Sequence, residues 1–587
     1  MLENDIVFFN LHRKYLNEAP DYGGFLGIYA LAAFVNDNGY RGQAWAGTLQ
    51  EGKRIIDELC TQGLVRMIGL YCDYANVTEN IYISSYVKNK YHLPVIVGGP
   101  QATALREDFF VRSQCDAAAR YEGELTAIEL LDCLLDGTGS LASIRGISYL
   151  RNGCLAVNPE RPLIGNLDAL PFIDDDCYLL GRPRRGELSI MTGRGCPFHC
   201  AFCHEGEHTR RVRWRSVANV LAEIDKYLEE HPWLEDFYLL FVDDTLTLDE
   251  NRLRELCEGV RERREKRNFQ WFCEGHVHTL AKHPEMIKML ADAGLHRLQL
   301  GIESGCSEVL QAYHKQTSPE EIKEVVALCR DAGIQQIYGN IILGSAFFSE
   351  DTYRRDLAFA RELQALGEGT LELGVISYWP LPETEITRYP DRFGLSVADY
   401  DFYTSADDFA QTTAPGFGVW DIMAKVQAMD RELSQQRGKM LLDGRVPFSR
   451  IVSWCAGRSA FRAYGLWYQE LMRHPHLLAC CQMVAAGEAV RGLAEFAVWQ
   501  QAHPMRVLAL SKHLHIQEDG SGELVGVSLE RTEMEVLALC TGRLNCVDIC
   551  AYLVKQNVAI TLERLRRILL KLEQYHLIVY SMEEQPS

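Results

Sequence analysis

Apolar and polar positions along this chain follow two periods, and where one gives way to the other outlines the fold. Short apolar runs at residues 6–9, 65–71 and 94–97 read as buried strands, with 44–46 as a weaker one. Between them, residues 26–35 (ending at Gly39) and 77–90 carry apolar side chains at helical spacing. Strand and helix in alternation make residues 1–150 a doubly wound α/β domain, whose ligands bind beyond the carboxyl ends of the strands. The loops to watch are therefore 10–24, 72–78 and 98–103.

The alternation resumes over residues 186–395. Strands are expected at 187–191, 236–242, 269–273, 296–302, 336–343 and 369–377, and helices at 215–228, 251–264, 284–293 and 319–332. Six β/α units predict a partial (β/α)6 TIM barrel with its chemistry at the carboxyl ends of the strands. Asp243, Asp244, Thr245, Glu274, Glu303, Ser304 and Gly344 stand at such ends. Residues 151–185 form a Pro- and Asp-rich linker, in which Asp174 to Asp176 read as solvated acids rather than a metal site. Residues 396–504 are helix-rich, and the aromatics Trp454, Phe461, Tyr464, Trp467 and Tyr468 read as core. Residues 505–587 form a further domain: strands at 505–510, 513–516 and 523–527, helices at 532–540, 546–555 and 562–575, and a closing strand at 577–580. That order is the pattern of a winged helix.

Composition narrows the setting. At 587 residues the chain is too long for one core, which agrees with several domains. A net charge of −20 argues against a general nucleic-acid binder. Nineteen Cys with no signal peptide and no long apolar run argue for a reducing cytoplasm, with no membrane span, rather than a disulfide scaffold. Cys60, Cys72, Cys115, Cys257, Cys329 and Cys480 lie in or at the ends of apolar segments, as small buried hydrophobes do.

Cys196, Cys200 and Cys203 are different. They stand in a CxxxCxxC triplet directly after an expected strand. A structural zinc site takes four ligands, commonly in two close pairs. A tight triplet suits a [4Fe–4S] cluster with one iron left open. Gly193 and Gly195 let the backbone turn and approach such a cluster, and Phe202 shields it from water.

The triplet, with Phe202 in place, resembles that of radical S-adenosylmethionine (SAM) enzymes, in which the open iron chelates SAM. The resemblance implies that Glu303 accepts bonds from the ribose hydroxyls, as a carboxylate can, with Ser304 adding a contact. It implies that Asp243, Asp244 and Thr245 hold the amino end of the methionine moiety. Gly339 and residues 341–344, Ile342 among them, correspond to the strand that packs on adenine. Arg213 and Arg215 correspond to basic residues that pair with a carboxylate or with a phosphate of a bound cofactor. Glu274 and Tyr313 are the candidates for acting on substrate, with His276, His278 and Tyr378 as further polar groups near strand ends.

The first domain resembles the cobalamin-binding domain that precedes many radical SAM cores. The matching parts are Leu26-Gly-Ile-Tyr29, the loop from Gly98 and Gly99 to Thr103, and Tyr121-Glu-Gly-Glu124. Many cobalamin proteins carry a DxHxxG loop whose His binds cobalt, but residues 39–47 hold no His. The resemblance then implies base-off binding without a His ligand, with Arg66 or Tyr71 as candidates for the lower face.

Together these features resemble the cobalamin-dependent radical SAM methyltransferases of peptide natural-product maturation, a branch that includes a thiopeptide tryptophan methyltransferase. The resemblance implies a methyl group carried from SAM through cobalamin to an unactivated or aromatic carbon of a peptide or amino acid, with electrons from a flavodoxin- or ferredoxin-type donor. Non-methylating relatives that cyclise or rearrange their substrates are the alternative. The last domain resembles leader-peptide-recognition domains, which bind a peptide by strand addition. Arg564, Arg566, Arg567 and Lys571 give its third helix a basic face, so a cofactor-sensing DNA-binding protein is the second alternative.

Overall fold

The computed structural model describes residues 3–12, 26–182, 186–204, 211–234, 237–381, 383–397, 412–455, 465–519 and 521–581. The chain divides into two compact units, Met1–Arg431 and Glu432–Ser587.

The first unit begins with the doubly wound sheet. Its strands are β1 (Asn4–His12), β2 (Gly42–Thr48), β3 (Val65–Tyr71), β4 (Val95–Gly98), β5 (Ala117–Ala119), β6 (Ile147–Arg151) and β7 (Cys154–Val157), in the order β2-β1-β3-β4-β5-β6-β7. The first five are parallel and the last two form an antiparallel edge. Successive side chains of β1 leave opposite faces, as a pleated strand requires. Ile6 and Phe8 pack with α1 (Leu26–Asp37) and α5 (Glu124–Leu134). Val7 and Phe9 pack with α2 (Leu49–Thr61), α3 (Val77–Tyr91) and α4 (Glu107–Ser113). The weak strand expected at 44–46 is seven residues long. Helix α2 had no counterpart in the sequence reading; Thr48 caps it by accepting a bond from the Glu51 N–H at 3.0 Å, and Ile55, Ile56 and Leu59 form its buried stripe.

The barrel follows. Its strands are β8 (Glu187–Ile190), β11 (Phe237–Phe241), β12 (Phe269–Gly275), β13 (Leu295–Leu300), β14 (Gln336–Leu343) and β15 (Leu371–Ser377), all parallel and in the order β15-β14-β13-β12-β11-β8. A small antiparallel pair, β9 (Gly193–Arg194) with β10 (Arg213–Trp214), flanks the cysteine loop. The helices are α6 (Val217–Glu230), α7 (Glu250–Lys266), α8 (Val277–Lys282), α9 (Glu285–Asp292), α10 (Ser307–Ala312), α11 (Pro319–Asp331) and α12 (Glu350–Gly367). The six β/α units expected from the periodicity are therefore present, with α8 and α10 as short additions just beyond strand ends.

In the second unit Trp454 and Trp467 pack with ring centroids 6.1 Å apart, and Trp467 is 1% exposed, so this part of the aromatic stripe is core. Phe461 and Tyr464 lie outside the described residues. The helices Arg531–Leu539, Cys546–Lys555 and Leu562–Gln574 share one core with the closing strand Ile578–Ser581. That strand pairs with His503–Arg506, the shortened form of the strand expected at 505–510. The strand expected at 523–527 is instead a hairpin: Gly522–Leu524 and Val527–Leu529 join through Val525 and Gly526, whose φ angles are +47° and +83°. Among the described residues no helix is long and apolar enough to cross a membrane.

Candidate functional site

The cysteine loop is anchored before it begins. Where β8 ends, the N–H groups of Thr192 and Gly193 each donate to Asp243 at 2.7 Å, and the Thr192 hydroxyl donates at 2.6 Å. Burial pushes the Asp243 carboxyl up to about 6, against the pull of these donors. Asp243 is thus engaged as a brace on the backbone leading to the cysteines, which corrects its expected role as a ligand of methionine. Gly193 could hold no side chain, because a Cβ there would lie 2.6 Å from the Trp214 ring.

Within the loop, Ala201 N–H donates to the Tyr313 carbonyl at 3.0 Å and Ile386 N–H donates to the Ala201 carbonyl at 3.1 Å. Phe202 meets the Tyr313 ring edge-on at 4.9 Å. Tyr313 is 0% exposed and shares a small core with Ala201, Ile342 and Tyr378. A ring so enclosed supports the loop and does not reach substrate, so the expected catalytic role of Tyr313 is corrected to positioning. Tyr378 is likewise buried in that core, and Ile342 packs there beneath the loop. The three cysteines are half-buried thiols, and Cys196 lies 4.0 Å from the Thr245 hydroxyl.

Glu303 has φ +62°, and β14 fixes it on both sides: its N–H donates to the Asn340 carbonyl and its carbonyl accepts from Ile342, both at 2.8 Å. Its carboxylate pairs with Lys315 Nζ at 3.1 Å. Lys315 was not singled out in the sequence. It is a single lysine after a short helix, with no periodic or motif signal. Burial opposes its charge, but Glu303 and the neighbouring Cys200 raise it above its ordinary value. The same ammonium lies 5.8 Å from the Phe202 ring centroid. Ser304 is fully buried; its hydroxyl donates to Asp356 at 2.7 Å and accepts from Cys306 N–H at 3.0 Å. Those bonds occupy the hydroxyl, so the expected contact from Ser304 to a ligand is also corrected.

At the end of β12, burial and then the nearby Asp244 push the Glu274 carboxyl up to about 7, with a bond from Gln299 acting the other way. His276 stacks flat on Phe198 of the cysteine loop, 3.6 Å apart at 9°. Burial first, then the Lys315 charge, push its imidazole down to about 3, which makes it neutral near pH 7. His278 stands 3.7 Å from Glu321 on the outer helices.

A cavity of about 380 Å³ opens where the carboxyl ends of the doubly wound sheet meet the cysteine loop. Gly27, Ile28 and Leu31 of α1, Tyr71 at the end of β3, and Gly98, Gly99 and Thr103 form one side, and Met191, Arg194, Gly195 and Asp244 the other. A Cβ on Gly27 or Gly98 would meet nothing within 4 Å, so both glycines face open space. Gly99 has φ +99°, and a Cβ there would lie 2.6 Å from the Cys72 carbonyl oxygen. Thr103 donates its hydroxyl to the Pro100 carbonyl at 3.0 Å. Arg66 is not in this wall. It pairs with Asp5 at 2.7 Å, on a side chain 40% exposed, which removes it as a candidate for the lower face; Tyr71 is in the wall.

Two arginines tie the halves of the cavity together. Arg194 contacts Glu122 at 3.0 Å and Glu124 at 2.5 Å, and Arg213 contacts Glu122 at 2.8 Å. Burial would raise the Glu122 carboxyl, but the Ile164 N–H and the two guanidiniums outweigh it and hold it below the usual range. Arg215 pairs with Glu223 at 2.6 Å. Arg213 and Arg215 therefore meet carboxylates, one of the two partners expected for them. In the linker, Asp174 pairs with Lys226, and Asp175 with Arg182 and His231, as surface acids do.

Comparison with known proteins agrees with this arrangement. The radical SAM superfamily model matches residues 190–354. An uncharacterized methyltransferase of Pyrococcus horikoshii is 30% identical over 293 residues, 49% of this chain and 59% of that protein. The chain spans about half the length of the curated relatives it matches. Its fold is that of the radical SAM methyltransferase TsrM from Kitasatospora setae, solved with cobalamin and a [4Fe–4S] cluster (TM-score 0.61, 15% identity, 83% of this chain and 100% of that one). It is equally similar to the cobalamin-dependent SAM radical enzyme OxsB, solved with aqua-cobalamin and SAM (TM-score 0.60, 17% identity, 97% of this chain and 83% of that one). The chain carries a radical SAM domain joined to a doubly wound domain in the manner of these two folds.

Proposed function

We propose that this protein is a cobalamin-dependent radical SAM methyltransferase that moves a methyl group from SAM, through cobalamin, to a carbon of a peptide or amino acid. The observation that carries the reading is the cavity shared by the doubly wound sheet and the cysteine loop. Its position brings a ligand lying across the strand ends of one domain up against the cluster motif of the other.

The residues present fit the three cofactors. Three half-buried thiols on one loop fit a [4Fe–4S] cluster with an open iron. Gly27 and Gly98 leave the cavity wall bare, as close approach of a flat macrocycle needs, and Tyr71 rather than a His stands at the end of β3. Glu303 is held by its backbone where it would accept two neighbouring hydroxyls, and Lys315 beside it offers a cation to a ligand carboxylate. When bound, the cluster supplies one electron to SAM and cobalamin supplies a transferable methyl group. The protein's part is to orient and to exclude water: Phe202 and Tyr313 seal the loop, Asp243 fixes its root, and Arg194 with Glu122 and Glu124 sets its distance from the cavity.

We further infer that the second unit receives the leader segment of a ribosomally made peptide, with a flavodoxin- or ferredoxin-type protein as electron source. The strand Leu514–Ile516 is an edge of its sheet, with Ile516 70% exposed, which supports strand addition.

The test is anaerobic reconstitution with iron, sulfide and cobalamin, then mass spectrometry after adding SAM and dithionite. 5′-Deoxyadenosine together with S-adenosylhomocysteine supports radical methyl transfer. S-adenosylhomocysteine alone supports polar methylation of an aromatic ring. 5′-Deoxyadenosine alone would sink the methyltransferase reading in favour of a cyclase or rearranging enzyme.

A further inference from the structure

Lys315 stands on a stretch of backbone that is tied to the cysteine loop. The two residues just before it both bond to that loop: the Tyr313 carbonyl accepts from Ala201 N–H at 3.0 Å, and His314 Nδ1 lies 3.1 Å from the His199 carbonyl oxygen. Cys200 sits between those two anchor points in the chain. On the other side, Lys315 N–H donates to the Leu310 carbonyl of α10 at 3.0 Å. His314 turns the chain between these ties with a φ of +58°, a conformation that a side-chain-bearing residue adopts only when its surroundings impose it.

A glycine makes the space for the ammonium. A Cβ on Gly301, just after β13, would lie 2.1 Å from Lys315 Nζ and 2.7 Å from Glu303 Oε1. The lysine side chain is 7% exposed and that of Glu303 12%, so their contact at 3.1 Å is closed off from water. The ring of Phe202, next to Cys203 in the chain, has its centroid 5.8 Å from the same Nζ. Where water is excluded, a fixed charge acts more strongly on its neighbours and is screened less by salt.

That charge falls on the thiols. Burial pushes Cys196 and Cys200 up, and the Lys315 ammonium pulls both back, against Asp244 at Cys196 and Glu303 at Cys200. Cys200 and Cys203 favour the charge of the lysine in return. A lysine that only braced Glu303 could do so from the protein surface. This one is buried where its field covers all three cysteines.

We propose that Lys315 raises the reduction potential of the cluster these cysteines hold, with Glu303 as the counter-charge that limits the rise. Reduction brings in one electron from the external low-potential donor and no proton, so the cluster with its thiolates becomes one unit more negative. A fixed ammonium nearby stabilises the more negative state, and a carboxylate disfavours it. Net charge and exclusion of solvent around the sulfurs are levers by which a protein sets such potentials. The inference needs the cluster alone, and not the methyl transfer proposed above.

The test is a redox titration followed by EPR on the full chain, reconstituted with iron and sulfide and reduced stepwise by titanium(III) citrate with viologen mediators, without SAM. Lys315→Met is expected to lower the midpoint, so that the ratio of reduced to oxidised cluster at a fixed potential falls on the order of tenfold; for one electron that is about 59 mV. Glu303→Gln is expected to move the midpoint the opposite way by a similar factor. Lys315→Arg is expected to stay near the parent, because the charge is kept. A field effect requires opposite signs from the two partners of one ion pair, whereas loosening of the site would move both variants in one direction. Iron content is measured for each variant. If Lys315→Met alone loses iron, Glu303→Gln is compared with the double variant Glu303→Gln/Lys315→Met, which leaves neither charge of the pair unpaired. Adding Lys315→Met is then expected to bring the midpoint back down by the same factor. A midpoint unchanged by removal of the lysine in either background, or moved in the same direction by Lys315→Met and Glu303→Gln, would overturn the proposal. A parent that shows these shifts but forms no S-adenosylhomocysteine would overturn the methyl-transfer reading and leave the role of Lys315 standing.

Discussion

Arg194, two residues before the first cysteine of the triplet, is bonded to Glu122 at 3.0 Å, across 72 residues of sequence. Arg213 bonds to the same Glu122 Oε1 at 2.8 Å. One carboxylate of the doubly wound domain therefore holds both sides of the cysteine loop, because β9 and β10 carry these two arginines. Removing one partner of a buried pair leaves a charge without compensation and costs about 3–5 kcal/mol. Glu122→Ala is expected to lower Tm and to weaken cobalamin binding, read by absorbance titration, on the order of tenfold or more. Iron content after reconstitution should hold, since the cysteines and Asp243 are untouched. Loss of iron with normal cobalamin binding would refute the coupling.

Within the same cavity wall, the bare glycines behave differently from Gly69, whose Cβ position is already taken up by the Phe8 ring. Gly98→Val places a side chain in open space, so it should fill the cavity, abolish cobalamin binding and leave Tm within a few degrees. Gly69→Val places Cβ 2.4 Å from the Phe8 ring and should instead destabilise the domain by about 1–3 kcal/mol. Thermal melts paired with cobalamin titration separate the two effects. A Gly98→Val protein that still binds cobalamin normally would show that the ligand lies elsewhere.

The alternation of strand and helix was legible because buried parallel strands are near-continuous apolar runs: the six barrel strands and β1 to β4 fall where expected, while β5, β6 and β7 had no counterpart in the sequence reading. Helix α2 was missed because its mean pattern is polar and only Ile55, Ile56 and Leu59 mark a stripe. At the site, spacing singled out the cysteines and the family resemblance singled out Glu303, and the structure sets Lys315 between them, paired with Glu303 and acting on Cys200. The sequence reading misassigned Asp243, Ser304, Tyr313 and Arg66, whose side chains are engaged by partners distant in sequence: Asp243 by Thr192, Ser304 by Asp356, Arg66 by Asp5. Lys315 was illegible for the same reason, since it gains meaning only from the fold that buries it against Glu303.

In SAM affinity, Lys315 and Glu303 should respond alike to substitution. Lys315→Met leaves Glu303 buried without its cation, and Glu303→Gln leaves Lys315 beside the cysteines without its anion. Under the proposed reading both weaken SAM binding, measured by calorimetry on the reconstituted protein, on the order of tenfold or more. Lys315→Arg should recover part of the loss, because charge is kept while the planar guanidinium changes the fit. Full SAM affinity in Lys315→Met would exclude contact between this lysine and the ligand.

Asp356 gives a pH signature that does not depend on any cofactor. Burial raises its carboxyl from 3.8 to about 6 in the folded chain, even though Ser304 and Gly305 donate to it. A raised acid holds its proton in the native state after the unfolded chain has released its own. Its stabilising contribution is therefore complete below pH 4 and is lost as pH rises through about 6. Asn in its place still accepts the bonds from Ser304 and Gly305 but has no proton to lose. The Tm of the Asp356→Asn protein relative to the parent should consequently increase between pH 4 and pH 7, equivalent to about 1–3 kcal/mol over that interval. Asp243 remains in both proteins and makes the same contribution to each, so the difference isolates Asp356. A Tm difference that is flat with pH, or that narrows, would mean that Asp356 is ionised in the folded protein throughout, and that the loop after Glu303 is anchored to a charge.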